Sequence, residues 1–345
     1  MKAARLHEYT SDFATAFSIE DVDRPEIERD DEVVVEVAAA GWCHTDNHIV
    51  EGSMADVADA SLPYTPGHEN AGTVVDVGDA VTAVAPGDAV VVHPPTSCGT
   101  CRACRLGEDM HCPEHVFAGL DRDGGFAEFM KTSERSVIAL DSLDPVQAAP
   151  HADAGLTAYR AVKHAAQDLV AGDVTVLVGI GGVGHIGLQV LHAISPTRTI
   201  AVDVDDAALR LAESYGADHV IDASAEDVPT AVDALTDGTG AQKVVDFVGS
   251  DDTLGYGLDV LAVGGDHHVV GYEGDLQVPA QAVVGREIAY RGSLVGTYTE
   301  LQELVALAED GEVAVRTSTH PLEDINDIAE RLHRGEIEGR AILEP

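Results

Sequence analysis

The chain is nearly without lysine. Lys2, Lys131, Lys163 and Lys243 are all of it in 345 residues, and 20 basic side chains stand against 61 acidic ones, a net charge of -41. A surface of that sign repels nucleic acid phosphates and anionic lipid headgroups, so neither nucleic acid nor membrane is an expected partner. Long apolar runs are missing as well: none approaches the roughly 18 residues that a membrane-spanning helix needs. The first twenty residues hold no apolar core of signal-peptide length. Cysteine is scarce, five in all, which is far from the density of a small secreted disulfide scaffold. These absences lead to the expectation of a cytoplasmic protein with reduced cysteines.

The acidic excess does not make the chain a disordered one. Hydrophobic residues are 45% of it, and the acids are spread through periodic segments instead of gathered in a tail. Keeping Asp, Glu and Arg while discarding Lys resembles proteins of salt-in halophiles, whose cytosolic cations screen such a surface. The length suggests two domains. The first 150 residues carry short β-branched runs between turn signals, as in "DEVVVEVAAAG", "NAGTVVDVGDAV" and "PGDAVVVHPP", and read as a β-rich, barrel-like domain. From Val174 onward strands and helices alternate: "VTVLVGIG", "TIAVD", "HVID", "KVVDFVG", "HHVVGY" and "IAYRGSLVG" as strands, with a helix drawn through "TLGYGLDVLAVGG". That order indicates a doubly wound parallel sheet, making the fold class α/β. After Gly296 an amphipathic helix places Leu301, Leu304, Val305 and Ala308 on one face.

Three constellations carry chemistry. "GIGGVG" supplies Gly179, Gly181 and Gly184, with Gly182 and Val183 between them, after a strand and at the start of a helix. In that context the pattern holds a dinucleotide pyrophosphate. Asp203 ends the next strand, nineteen residues beyond Gly184, where a carboxylate accepts hydrogen bonds from the adenosine ribose hydroxyls. This predicts NAD over NADP, although NADP is not excluded. The second constellation is "CGTCRACRLGEDMHC", in which Cys98, Cys101, Cys104 and Cys112 follow a C-x2-C-x2-C-x7-C spacing. Disulfides and an iron–sulfur cluster are the alternatives; a structural zinc held by four thiolates is the preferred reading. The third is "GWCHTDNH", with Cys43, Thr45, Asp46 and His48, followed by "PGHENAG", with His68 and Glu69.

A G-x-C-H-x-D-x-H segment, a G-H-E segment, a four-cysteine lobe and a later glycine fingerprint, in that order, resemble the zinc-dependent medium-chain alcohol dehydrogenases over essentially the whole chain. "GGFAEF" and "DAGLTAYRA" add to the likeness. The resemblance implies a GroES-like catalytic domain from residues 1–153 and 296–345, with the structural zinc lobe at about 94–115, and a Rossmann domain at 154–295. It implies two zinc ions per chain and a reversible hydride transfer between an alcohol and NAD(P), giving a ketone or aldehyde. Cys43 and His68 would bind the catalytic zinc, Asp46 would orient His68, and Glu69 would be an occasional ligand. Thr45 and His48 would relay the alcohol proton, and Arg340 would reach the cofactor pyrophosphate. Where many members have a second thiolate, this chain has Asp153, which looks like the branch acting on secondary alcohols. One thiolate, one carboxylate and a neutral imidazole still neutralise a divalent zinc; a plain surface acid at 153, or Glu69 in its place, are the competing readings. Trp42 and Val295 are candidate pocket walls. A homodimer or homotetramer is expected, with a strand near 292–296 as a pairing edge. The alternatives are a polyol or sugar dehydrogenase of the same superfamily and a non-enzymatic nucleotide-binding protein.

Overall fold

The β-branched runs of the N-terminal part do form strands. A computed structural model describes residues 1–55 and 60–345, and the chain divides into two units. The first comprises Met1–Leu156, Thr297–Asp310 and Val315–Pro345. Its centre is the strand Glu32–Gly41, where Val33, Val34 and Val35 are all fully buried. That strand pairs antiparallel with Glu69–Val77, with Phe129–Ser133 and, at its end, with Arg340–Glu344. The seven-stranded sheet continues through Ala89–Val92 to Val137–Ala139 on one side and ends with Thr317–Pro321 on the other. Its core gathers Leu6, Phe17, Trp42, Ile49, Phe126, Met130, Ile325 and Ile328.

Trp42 corrects an expectation. It stacks on Phe126 at 5.1 Å and sets its edge to Phe17, and its indole N–H donates to Asn47 Oδ1 at 2.8 Å. An indole with its one donor satisfied and 1% exposure is a core residue, not a pocket wall. The helix after Gly296 runs Tyr298–Glu309 and buries Leu301, Leu304, Val305 and Ala308. A reciprocal cap starts it: Thr297 Oγ1 accepts from the Glu300 N–H while Glu300 accepts from the Thr297 N–H. A second amphipathic helix, Ile325–His333, buries Ile325, Ile328, Ala329 and Leu332.

The second unit, Thr157–Gly296 with Gly311–Ala314, is the expected parallel sheet. Its order is His219–Asp222, Arg198–Asp203, Val174–Val178, Ala241–Asp246, Leu261–Val269, Ala289–Gly292, with every pair parallel. All five residues of Val174–Val178 are buried, as a strand covered on both faces requires. The strand order reverses direction between Val174–Val178 and Ala241–Asp246, which is the topological switch point where such sheets bind ligands. One boundary differs from the sequence reading. The helix Asp251–Val260 stops before "LAVGG", which belongs to the strand Leu261–Val269. Gly264 adopts φ +77° there, a conformation that no helix continues through. Ala280–Arg286 is a further short helix. Among the described residues no helix is long and apolar enough to cross a membrane.

Glu309 ends its helix by accepting from three consecutive N–H groups, those of Asp141, Ser142 and Leu143, at 2.8, 3.0 and 3.4 Å. Partial burial raises its pKa, but these donors outweigh burial and hold it below the usual glutamate value. A depressed folded pKa stabilises the fold above the unfolded value and ceases to do so as pH falls through the folded one. Glu309→Gln is therefore expected to lower the unfolding midpoint at neutral pH, with the gap from wild type closing on acidification. A gap of constant size from neutral to acid pH in denaturation at fixed salt would contradict this assignment.

Candidate functional site

The glycine-rich turn sits where the sheet demands a ligand. Gly179 follows the strand Val174–Val178 with φ +83°, and the helix Gly184–Ile194 begins five residues on. A Cβ on Gly184 would stand 1.8 Å from the Gly179 carbonyl oxygen, so the turn closes only with glycine there. A Cβ on Gly181 would meet nothing within 4 Å, so this position leaves its backbone open to a ligand. The residues fit a dinucleotide pyrophosphate: an open turn in front of a helix N-terminus of eleven residues. Asp203 closes the strand Arg198–Asp203 and is held by three N–H groups. Its Oδ2 accepts from Ile180 at 2.6 Å, and its Oδ1 accepts from Val204 at 2.7 Å and Asp205 at 3.0 Å. The first of these bonds ties the carboxylate to the glycine-rich turn itself.

The four clustered cysteines converge. Cys98 Sγ lies 3.9 Å from Cys104 Sγ and 3.6 Å from Cys112 Sγ, and Cys101 Sγ lies 3.4 Å from Cys104 Sγ. Tetrahedral thiolates around zinc stand about 3.8 Å apart, whereas a disulfide needs sulfurs about 2.05 Å apart. All four are free thiols in one metal-competent group. The Thr100 backbone N–H, as the largest cause, holds the Cys98 thiol down to about 6, and burial pushes the Cys104 thiol up to about 12. The sequence reading contains no support for this lobe, but the structure has one. Arg135 Nη2 donates to the Cys104 carbonyl at 3.0 Å and to both oxygens of Asp109 at 2.8 and 3.1 Å; Ser97 donates to the same carboxylate at 2.6 Å. Asp109 lies inside the cysteine run but Arg135 lies well outside it, so the cysteine spacing does not announce this support.

Cys43, His68 and Asp153 form the second metal-competent group, with ligand atoms all within 4.8 Å of one another. Asp153 Oδ2 lies 3.4 Å from His68 Nε2 and 3.8 Å from Cys43 Sγ. Cys43 immediately precedes the helix His44–Glu51, and His68 immediately precedes the strand Glu69–Val77. Asp46, in the first turn of that helix, links the two: its Oδ2 accepts from the Cys43 N–H at 2.8 Å, and its Oδ1 faces His68 Nδ1 at 3.3 Å. One fully buried carboxylate thus sets the backbone of one ligand and the ring of the other. Burial opposes a charge on His68, but Asp46 first and then Asp153 outweigh it and raise its pKa well above the ordinary histidine value. A field that favours a proton at this point favours any cation, and a thiol, an imidazole and a carboxylate are a donor set that suits zinc.

The same helix carries Thr45 and His48, both partly exposed, with Thr45 Oγ1 3.8 Å from Cys43 Sγ. Glu69 is placed differently from its neighbour His68. Its Oε1 accepts from the Ala154 N–H at 3.0 Å and from Arg340 Nη2. Burial pushes its carboxyl up to about 7 against the pull of Arg340, with Asp153 adding to the rise. Arg340, 3% exposed, is thereby committed to a buried ion pair that the sequence reading does not contain. Gly41 makes room for it: a Cβ there would stand 1.9 Å from Glu69 Oε2. Val295 adopts φ +45°, which is strained for a β-branched residue.

Comparison with known proteins agrees with this geometry. Residues 29–142 match the alcohol dehydrogenase GroES-like domain, and residues 182–310 match the zinc-binding dehydrogenase domain. An NAD-dependent alcohol dehydrogenase of Sulfurisphaera tokodaii is 35% identical over 354 residues, covering 100% of both chains. The crystal structure of the alcohol dehydrogenase from Aeropyrum pernix superposes with a TM-score of 0.95 at 49% identity, again covering 100% of both chains. A D-arabinose 1-dehydrogenase (NADP(+)) of Saccharolobus solfataricus is 36% identical, covering 96% of this chain and 95% of its own. Matches to both family domains and a 35% identical relative covered over its full length show that the chain belongs to the zinc-dependent medium-chain alcohol dehydrogenase family.

Proposed function

We propose that the protein oxidises secondary alcohols to ketones, and reduces ketones in reverse, with NAD as the favoured hydride carrier. The observation that carries this reading is the convergence of Cys43, His68 and Asp153. In this reading these three hold the catalytic zinc, and Cys98, Cys101, Cys104 and Cys112 hold the structural one. Bound zinc supplies Lewis acidity, which lowers the pKa of an alcohol hydroxyl. Asp46 keeps His68 turned with Nε2 toward Asp153, and Thr45 and His48 accept and pass on the alcohol proton. The dinucleotide lies on residues 179–184. Asp203 faces its adenosine ribose and disfavours a 2′-phosphate, since Val204, Asp205, Asp206 and Ala207 offer no cation. Arg340 neutralises Glu69. The protein works in a salt-rich cytoplasm as a homodimer or homotetramer.

A polyol or sugar dehydrogenase is the second reading, favoured by the likeness to the D-arabinose 1-dehydrogenase. Initial rates in molar salt with primary alcohols, secondary alcohols, polyols and aldoses, each with NAD and NADP, separate the two. The expected order of kcat/KM puts 2-propanol or a longer secondary alcohol with NAD first. An aldose leading the panel would replace the proposal with its rival.

Asp153→Ala is expected to lose one of two zinc ions and to drop kcat by at least about 10²-fold, as loss of a group acting at the reacting centre does. Asp153→Cys should recover the metal. Glu69→Gln should keep both ions, because Glu69 is bound to Arg340 and the Ala154 N–H. Metal analysis of the three variants decides between the carboxylates: a full complement in Asp153→Ala, or a loss confined to Glu69→Gln, reverses the assignment.

The net charge of -41 predicts dependence on salt. The Debye length is about 3 Å at 1 M salt and about 10 Å at 0.1 M, so mutual repulsion of the surface acids is removed only in brine. Far-UV circular dichroism and activity should both fall on prolonged dialysis to millimolar salt. Full retention of both would mark the surface as acidic without being salt-dependent.

A further inference from the structure

Asp246 is a carboxylate for which neither the catalytic chemistry nor the cofactor fingerprint has a use, yet it is fully buried at the switch point of the parallel sheet. It is the last residue of the strand Ala241–Asp246 and stands in register with Val178 on one side and Val269 on the other. Its Oδ1 accepts from the Val248 N–H at 2.9 Å and the Gly249 N–H at 2.8 Å, bending the chain over at residues 246–249. Its Oδ2 has no hydrogen-bond partner and lies 3.6 Å from Nε2 of His267, whose side chain is also fully buried. His267 in turn fits only because residue 257 is glycine, where a Cβ would stand 2.3 Å from its ring.

The two residues inside that turn are the ones against which the glycine-rich turn is built. Val248 Cγ2 lies 2.6 Å from where a Cβ on Gly179 would be. The Phe247 ring lies 3.2 Å from the corresponding point on Gly184 and 2.6 Å from that on Gly187. The Phe247 N–H donates to the Val178 carbonyl at 2.9 Å, one residue before Gly179. A further lock holds the other end: Gly249, at φ +67°, accepts from the Gly274 N–H at 2.7 Å. Burial opposes the charge on Asp246, but His267 and the N–H donors of the turn outweigh it and hold the carboxyl below its usual value.

We propose that Asp246 is a positioning residue for dinucleotide binding: its buried carboxylate fixes the 246–249 turn, and Phe247 and Val248 transmit that fixed shape to residues 179–187. The inference rests on the reading of residues 179–184 as the dinucleotide site. A carboxylate that accepts two backbone N–H groups is worth more than a neutral acceptor, and a site preorganised in this way loses affinity when the support is removed, because ordering must then occur on binding. Asparagine keeps an acceptor oxygen at the same place; alanine keeps none.

The test is the calorimetric Kd for NAD of the full-length, zinc-loaded protein in molar salt, with zinc content, melting midpoint and kcat at saturating NAD measured alongside. Asp246→Ala should raise Kd at least about tenfold, since two charge-assisted hydrogen bonds to the turn are lost, and Asp246→Asn should recover Kd to within about threefold of wild type. Zinc content should stay at its wild-type value and kcat at saturating NAD within about twofold, because the interaction removed serves binding alone. Should Asp246→Ala not fold, Val248→Ala carries the test by removing the contact with Gly179 directly, and it too should raise Kd. Gly181→Val is the control for the underlying reading, since its side chain would fill the open space at the turn and should abolish NAD binding. If Gly181→Val binds NAD normally, the dinucleotide site is elsewhere and the proposal falls with it. If Gly181→Val loses NAD while Asp246→Ala or Val248→Ala keeps the wild-type Kd, with or without a lower melting midpoint, the site stands and Asp246 is merely structural.

Discussion

Buried negative charge is the constraint from which the first unit's site follows. Asp46 and Glu69 are fully buried and Asp153 is 13% exposed; Asp46 and Asp153 face Cys43 and His68, while Glu69 is turned to Arg340 and the Ala154 N–H. Isolated carboxylates in such a place would cost several kcal/mol each, and the protein answers with cationic and hydrogen-bonding partners at specific points. Arg340 neutralises Glu69 from a strand 271 residues away. The Cys43 N–H and the Ala154 N–H each donate to a carboxylate. What is left over is the field at His68, Cys43 and Asp153, and a divalent cation satisfies all three at once. The candidate metal site is thus the residue of a charge balance and not merely a set of well-spaced donors.

The second unit solves a different problem with the same economy of polar groups. Its three central strands are buried along most of their length, and two of them end in a carboxylate. There the backbone N–H groups that the sheet leaves unpaired are taken up by Asp203 and Asp246, the last residues of two strands flanking Val174–Val178. One carboxylate bonds the glycine-rich turn directly and the other supports the segment against which that turn packs. The strands on either side of Val174–Val178 are thus each finished by an acid, and the chain's acidic excess is not all surface.

What was legible in the sequence was what lies close along it. The cysteine spacing and the glycine fingerprint are local, and local spacing fixes which side chains can converge on one loop or helix turn, whereas the role of Asp46 toward His68 came only from the family resemblance. Asp153 was legible only through the family resemblance, because its distance of 110 residues from Cys43 carries no spacing information. The Glu69–Arg340 pair was invisible for the same reason, and so was the use of Arg135 to hold the cysteine lobe. Trp42 misled because an aromatic beside a catalytic motif looks like a pocket wall, whereas Asn47 satisfies its indole N–H inside the core. The segment "LAVGG", drawn as the end of a helix, lies within the strand Leu261–Val269. Helix Ile325–His333 carries a helical period in its sequence too, with Ile325, Ile328, Ala329 and Leu332 on its buried face.

The scarcity of lysine acquires a physical meaning once the few that remain are located. Lys131 sits 2.6 Å from Glu28 and 3.4 Å from Glu32, whose side chain is 7% exposed. Lys243, itself 8% exposed, pairs with its cross-strand partner Asp266. Lys163 lies over the ring of Tyr159, 5.6 Å from its centre. Three of the four thus lie against specific partners, where an ammonium on a flexible stem can be held. A surface lysine in brine gains little from an ion pair, since screening removes most of an already small attraction, and it exposes an apolar stem to solvent. A buried or half-buried pair is screened far less. Lys243 with Asp266 is such a pair; Lys131 is one only toward Glu32, because Glu28, its nearer partner, has a side chain 76% exposed.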